Sequence, residues 1–269
     1  MHYRELSPIP ALSGFIRCIW MLEGTPATGE VEAIFPDGSM ELVFHYGTPM
    51  TRMLDDGTSY NQAQAMLVGQ ISKRINLQPT DAIGIIGIRF HPWGASAFLP
   101  MPLHEITDQD LSLELVWGNE IKELQDRVLH QSKEDAIDAI QQFLLHKLSH
   151  RMEYETRSVR QVVSHISSHK GNVKIDMLAA MSNLSERQFN RRFSSMVGLS
   201  PKHFAGIIRF QHFFKLAQQQ QNQSLGAIAL SCGYYDQSHF IREFKQYAGV
   251  SPGEYFKSEG KLAALFLDV

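Results

Sequence analysis

Phe189-Asn190-Arg191-Arg192-Phe193-Ser194-Ser195-Met196-Val197-Gly198-Leu199-Ser200-Pro201-Lys202-His203-Phe204 recurs, in register, as Phe240-Ile241-Arg242-Glu243-Phe244-Lys245-Gln246-Tyr247-Ala248-Gly249-Val250-Ser251-Pro252-Gly253-Glu254-Tyr255. Phe, Arg, Phe, Gly, Ser and Pro fall at the same places in both stretches. Upstream, Leu178-Ala179 matches Ile228-Ala229, with one more residue before the second copy. Two copies are too few for a solenoid. They fit two small helical units placed side by side.

Each unit reads as helix-turn-helix. In the first, Val173 to Met181 is a short apolar helix and Ser182-Asn183-Leu184 the turn. Ser185 caps the next helix, with Gln188 at capping-box spacing. In the second, Leu225 to Ser231 is the first helix, Gly233 supplies the turn and Asp236 is the N-cap. Each second helix stops before Gly198 or Gly249, where glycine is favoured. The chain restarts at Ser200-Pro201 or Ser251-Pro252, serine as N-cap and proline at the first helical position. The apolar majority of Lys202 to Gln221 predicts one long helix packed by both units.

The second helix of each unit has two faces. Phe189, Phe193 and Met196, and likewise Phe240, Phe244 and Tyr247, form an apolar side that must be core. The other side carries Arg187, Asn190 and Arg191 in the first copy, and Gln237, Ser238, His239, Ile241 and Arg242 in the second. These side chains can read base edges: Arg pairs with guanine, Asn or Gln with adenine, and an apolar group touches a thymine methyl. A helix of this size fits the major groove. Lys202 and Lys245 are the phosphate-contact candidates. The competing reading of any one such face is solvated polar surface; two equivalent faces in a basic segment favour the nucleic-acid reading.

Charge divides the 269-residue chain in two. Residues 1–156 hold 11 of the 25 Lys and Arg and 21 of the 28 Asp and Glu, a sum of -10; the remainder sums to +7. The acidic part, 1–156, reads as a β-rich sensing or dimerisation domain ending in two helices, and 157–269 as the double helix-turn-helix domain. The fold class is therefore α+β. Strand candidates are Phe15 to Leu22, Met40 to Tyr46, Ala65 to Val68 and Ile83 to Phe90, with Gly84 and Gly87 marking a bulge or close approach. Trp117, Ile121, Leu124 and Val128, then Ile137, Ile140, Leu144 and Leu148, fall at helical spacing with a break at Gln131-Ser132. These stripes either pack on the β-rich part or form a dimer seam.

From Arg157 to Phe256 the sequence resembles the AraC family of bacterial transcription regulators, most specifically over Ile228 to Phe240 and Val250 to Tyr255. The resemblance implies a seven-helix, two-headed DNA-binding domain joined to a separate sensing or dimerisation domain. It implies the same base-facing residues as above. Phe213 departs from the pattern, standing where a small residue is usual. The N-terminal part resembles a sensor domain of some such regulators through Pro36-Asp37-Gly38 with Glu41-Leu42-Val43-Phe44, Leu67-Val68-Gly69 and Gly87-Ile88-Arg89-Phe90. Pro92-Trp93-Gly94 replaces the usual Pro-Gly-Gly, which predicts a cavity narrowed by an indole.

Other chemistries find little support. Twelve histidines include no H-E-x-x-H or His-x-His pattern, and His45, His91 and His104 are the only loose candidates for convergence. Two cysteines, Cys18 and Cys232, make neither a disulfide framework nor a zinc set and suit a reducing cytosol. No cofactor, metal, catalytic residue or membrane span is expected. Glu41 and Arg89 form either a plain buried pair or the polar anchor of a ligand pocket walled by Trp20, Phe44 and Trp93. Double-stranded DNA is the expected partner; RNA polymerase, a small-molecule effector and a second copy of the chain are further partners that this architecture admits. The alternatives are an N-terminal enzyme tethered to DNA and an interaction adaptor that does not read DNA.

Overall fold

In the computed structural model, all residues are described except 27, 28, 221 and 259–269, and the side chains of 150–155 and 258. Residues 2 to 112 build two antiparallel sheets. The larger has the order β1 (His2–Leu6), β2 (Ile16–Gly24), β9 (Ile83–Phe90), β4 (Glu41–His45), β7 (Ala65–Val68) and β10 (Asp110–Ser112). The smaller has the order β3 (Glu32–Ile34), β8 (Ile75–Gln78), β5 (Thr51–Met53) and β6 (Ser59–Asn61). Alternation along the strands divides the large sheet's side chains between two cores. Ile19, Met21, Leu42, Phe44, Ile86 and Ile88 point to one side, and Cys18, Trp20, Leu22, Val43 and Ile85 to the other.

Helices cover the first side. α1 (Leu113–Trp117) and α2 (Glu120–His130) precede α3 (Lys133–Lys147). Ile121, Leu124, Val128, Ile137, Ile140 and Leu144 are all buried in the core that holds Leu42 and Phe44. The apolar stripes are thus spent on the sheet, so these residues do not form a dimer seam. Ser132 caps α3 by accepting from the backbone N–H of Asp135 at 3.1 Å, which explains the break beside Gln131. Trp117 closes a separate short helix, because Gly118 at φ 64° interrupts the periodic run.

Glycine does its work in β9 by absence of volume. Gly87 lies directly opposite Trp20 in the β2–β9 register, and a Cβ there would sit 2.0 Å from the indole. The large ring lies down over the strand only because position 87 has no side chain. Gly84 makes the same room for the Tyr46 ring. The register irregularity in this pair falls instead between Ile16 and Cys18.

Seven helices follow among the described residues: α4 (His150–Ser168), α5 (Ile175–Met181), α6 (Glu186–Val197), α7 (Pro201–Gln219), α8 (Leu225–Ser231), α9 (Gln237–Ala248) and α10 (Pro252–Ser258). Their common core is aromatic, with Phe193, Phe204, Phe210, Phe213, Phe240 and Phe244 almost fully buried. Phe213, the departure from the family pattern, fills space against Phe240 at a centroid distance of 4.6 Å.

The two halves share this core. Phe35, at the end of β3, is 6% exposed and lies 6.1 Å from the Phe210 ring and 5.6 Å from those of Phe214 and Tyr255. The Gln211 side-chain amide donates to the Pro36 carbonyl, the Arg74 N–H donates to the Tyr247 carbonyl at 2.7 Å, and the Thr107 hydroxyl donates to the Gly198 carbonyl at 2.6 Å. α4 runs without interruption across the division after residue 156, and Val159, Val162, Val163 and Ile166 belong to the helical core.

Candidate functional site

The two units are built as their capping residues dictate. Ser185 accepts from the Gln188 N–H at 3.3 Å while the Gln188 side chain accepts from the Ser185 N–H at 3.2 Å, a reciprocal capping box that starts α6. Asp236 starts α9 by accepting from the His239 N–H at 2.7 Å. Gly198 and Gly249 end the two helices at φ 91° and 77°, a left-handed conformation that costs a side-chain-bearing residue energy. Ser200 and Pro201 then open α7, and Ser251 and Pro252 open α10.

Along α6, Phe189, Phe193 and Met196 are buried while Arg187 and Arg191 are exposed and Asn190 is half-buried. Along α9, Phe240, Phe244 and Tyr247 are buried while Gln237, Ser238, Ile241 and Arg242 are exposed. Arg191 and Arg242, equivalent in the repeat, thus occupy equivalent exposed positions on equivalent helices. Lys202, at the start of α7, and Lys245, in the last turn of α9, are exposed as well. The N-terminal half leaves these residues uncovered.

His239 behaves differently from its neighbours. It is half-buried, and its Nε2 lies 3.4 Å from Glu243 Oε2. Glu243 in turn receives Arg209 from α7, with Nη2 at 2.7 Å from Oε2 and Nε at 3.1 Å from Oε1, and the guanidinium lies 4.9 Å over the Tyr234 ring. Burial opposes the charge on Arg209, but the Glu243 carboxylate outweighs it and raises its pKa. This network ties α9 to the connecting helix α7, which packs on both units.

A second site lies between the two sheets, where a cavity of about 100 Å³ opens beside β3. Of the residues expected to wall it, Trp20, Glu41 and Arg89 do so. The strand register brings the pair together: Glu41 and Arg89 are direct partners across β4 and β9, with Nε to Oε1 at 2.6 Å. The Trp20 indole N–H donates to the same Oε1 at 3.2 Å. Burial raises the Glu41 pKa against the opposing pull of Arg89. Burial opposes ionisation of Arg89 too, yet Glu41 and Asp37 together raise its pKa, so the guanidinium stays charged.

Phe44 and Trp93 do not line this cavity. Phe44 is one residue out of phase with Glu41 and Val43 and points into the core under the helices. Trp93 packs into the helical core, donates its indole N–H to the Gly14 carbonyl at 3.1 Å, and carries the Arg160 guanidinium 5.5 Å from its ring. It does not narrow this cavity; it helps join the two halves. Glu32, Phe35, Asp37 and Gln62 are among the lining residues overlooked in sequence. The Pro36-Asp37-Gly38 turn could have signalled Asp37, but nothing local distinguishes Gln62.

His45, His91 and His104 do not converge. Burial drives the His45 imidazole down to about 4, His91 stacks on Trp93 with ring centroids 4.9 Å apart, and His104 is exposed. Among the described residues no group of three His, Cys, Asp or Glu side chains is placed to hold a metal ion, and no helix is long and apolar enough to cross a membrane. Cys18 and Cys232 are buried free thiols, each pushed up to about 11 by burial.

Comparison with known proteins finds matches in two separate parts of the chain. Residues 4–112 match a family described as a domain of unknown function (DUF6597), and residues 178–258 match a helix-turn-helix domain family. The chain is 41% identical over 87 residues to the HTH-type transcriptional regulator MtrA of Neisseria gonorrhoeae, a match covering 32% of this chain and 29% of that protein. It is 40% identical over 84 residues to an uncharacterized HTH-type transcriptional regulator of Haemophilus influenzae, covering 31% of this chain and 28% of that one. The matched segments thus span under a third of these relatives' lengths. Among solved structures, ToxT from Vibrio cholerae aligns over 89% of this chain and 98% of its own, with a TM-score of 0.48 and 12% identity. The repeated, doubly capped units thus form a helix-turn-helix domain of the AraC type at the C-terminal end of the chain, behind a DUF6597 domain.

Proposed function

We infer that the protein is a sequence-specific DNA-binding transcription regulator that sets α6 and α9 into successive major grooves of one duplex. The observation that supports this most directly is the pair of equivalent helices, each capped, each buried on its phenylalanine side, and each exposing an arginine at the same repeat position. Arg187, Asn190 and Arg191 on α6, and Gln237, Ser238, Ile241 and Arg242 on α9, read base edges. Lys202 and Lys245 neutralise phosphates and set the salt dependence of affinity. We assign His239 a smaller share, since Glu243 holds its ring.

In this proposal residues 1–156 act as the modulating domain and 157–269 as the DNA-reading domain, and the chain is not an enzyme. An effector in the N-terminal half, a second copy of the chain and RNA polymerase are the partners with which such a regulator works. The test is selection of bound sequences from a random duplex pool by the full-length chain, followed by Arg242→Ala. The substitution is expected to cost about 1–3 kcal/mol on the selected site and to relax preference at one base position. Lys245→Ala is expected to weaken all sequences alike. Recovery of no consensus from the pool would refute the reading. The full chain is needed because cutting after residue 156 would strip Phe35 and Trp93 from the helical core.

A further inference from the structure

The cavity between the sheets is untouched by the DNA-reading scheme, and its lining is chemically specific. A single water needs about 10–15 Å³ of such space. The cavity, at about 100 Å³, therefore accommodates one ligand of roughly ten non-hydrogen atoms. Its walls are apolar, with Val43, Met66, Leu77 and Ile85 beside the Trp20 ring.

Its polar end is unequal in sign. Glu32, Asp37 and Glu41 all line the space, and Arg89 is the single cation among the described lining residues. The Arg89 Nε lies 2.6 Å from Glu41 and 3.9 Å from Asp37, so one guanidinium is shared by two carboxylates. No Lys, Arg or His pairs with Glu32 within 4.0 Å among the described residues, and burial, with Glu30 adding to it, pushes its carboxyl upward against the pull of the N-terminal ammonium. Gln62, 7% exposed, adds a buried amide to the same lining. An incoming anion would gain from Arg89 and lose to the carboxylates around it. An incoming cation meets the excess of negative charge and the face of an indole, both of which attract it.

We propose that this cavity binds a small hydrophobic amine in its cationic form, with the ammonium group among Glu32, Asp37 and Glu41 and the apolar body against Trp20. The site is wired to the helical half through one short segment. Glu32, Ile34, Phe35 and Asp37 line the cavity, while the Phe35 ring packs on Phe210 and Phe214 of α7. Occupancy therefore bears on the helix that spaces the two reading units; this consequence rests on the DNA-reading function proposed above, but the binding does not.

The test is calorimetric titration of the full-length protein, without DNA, with 3-phenylpropylamine, 3-phenylpropanol and 3-phenylpropanoate, which share one body and differ in head charge. The amine is expected to bind about tenfold more tightly than the alcohol, and the carboxylate more weakly than both. Glu32→Gln, on a half-buried edge of the small sheet, is expected to erase most of the amine's advantage while leaving the alcohol's affinity and the melting temperature unchanged. Asp37→Asn serves as the second variant should Glu32→Gln fold poorly. Equal binding of all three, preference for the carboxylate, absence of binding by the amine, or an amine affinity indifferent to both variants would each overturn the proposal. Because no DNA is present, that result stands apart from success or failure of the duplex selection.

Discussion

Phe35→Ala tests how tightly the two halves are joined. Phe35 belongs to the β-rich half by sequence, yet its ring is 6% exposed and surrounded by Phe210, Phe214 and Tyr255 at centroid distances of 5.6 to 6.1 Å. Truncating a buried Phe to Ala costs about 3–5 kcal/mol, more where the surroundings cannot collapse into the void. Here the three neighbouring rings sit on two helices packed by other aromatics, so the loss is expected in the upper half of that range. Urea unfolding followed by far-ultraviolet circular dichroism and tryptophan fluorescence measures it. Trp93 lies at the junction and reports its opening, whereas Trp20 and Trp117 lie within the N-terminal half. Phe98→Ala is the matched control: Phe98 is 4% exposed in the core beneath the large sheet, where its ring meets those of Phe15 and Phe90. Both variants are expected to lose comparable stability, but only Phe35→Ala should separate the two probes into distinct transitions. A loss below about 1 kcal/mol, or identical profiles for the two variants, would show that Phe35 is not what couples the halves.

Two further outcomes follow from buried charge. Arg209→Ala takes the cation from the half-buried Glu243 carboxylate, leaving it only His239, and is expected to cost about 1–3 kcal/mol; the double variant Arg209→Ala/Glu243→Ala should recover part of it, giving a coupling of about 1 kcal/mol in chemical denaturation, and simple additivity would refute the network. His45, with its pKa held near 4 by burial against an ordinary 6.5, stays neutral in the native state while the unfolded chain takes up a proton. Its contribution is therefore complete above pH 6.5, declines as pH falls toward 4, and is flat below; His45→Gln should remove roughly 3 kcal/mol of that decline, and superimposable pH–stability curves for variant and parent would contradict it.

What could be read from the sequence was what local chemistry decides. Ser185 with Gln188, Asp236, Ser200-Pro201 and the two terminal glycines fix helix ends through hydrogen bonds a few residues long, so both helix-turn-helix units were legible. β7 and β9 were legible as apolar runs between turn signals. β3, β5, β6, β8 and β10 were not, because strands of three or four residues with little burial exist only by virtue of partners distant in sequence. At the cavity, opposite charges on neighbouring strands pointed to Glu41 and Arg89, and the register delivered them. Phe44 was misplaced by strand parity, since a shift of one residue turns a side chain to the opposite face. Trp93 was misread and Phe35 overlooked for a different reason: both lie in the acidic half but are buried in the basic half's core, a non-local fact that charge and periodicity do not encode.

The C-terminal end of α6 has a consequence for how such regulators can be recombined. Gly198 offers its carbonyl to the Thr107 hydroxyl, and the Gln70 side chain would stand 2.8 Å from any Cβ at that glycine. The end of α6 is thus finished off by the other half of the chain. A chimera that grafts a foreign sensor onto residues 157–269 would leave the Gly198 carbonyl without its donor unless the graft brings its own hydroxyl to the same spot. Exchange of the N-terminal half of this chain is constrained at a seam that sequence boundaries do not reveal.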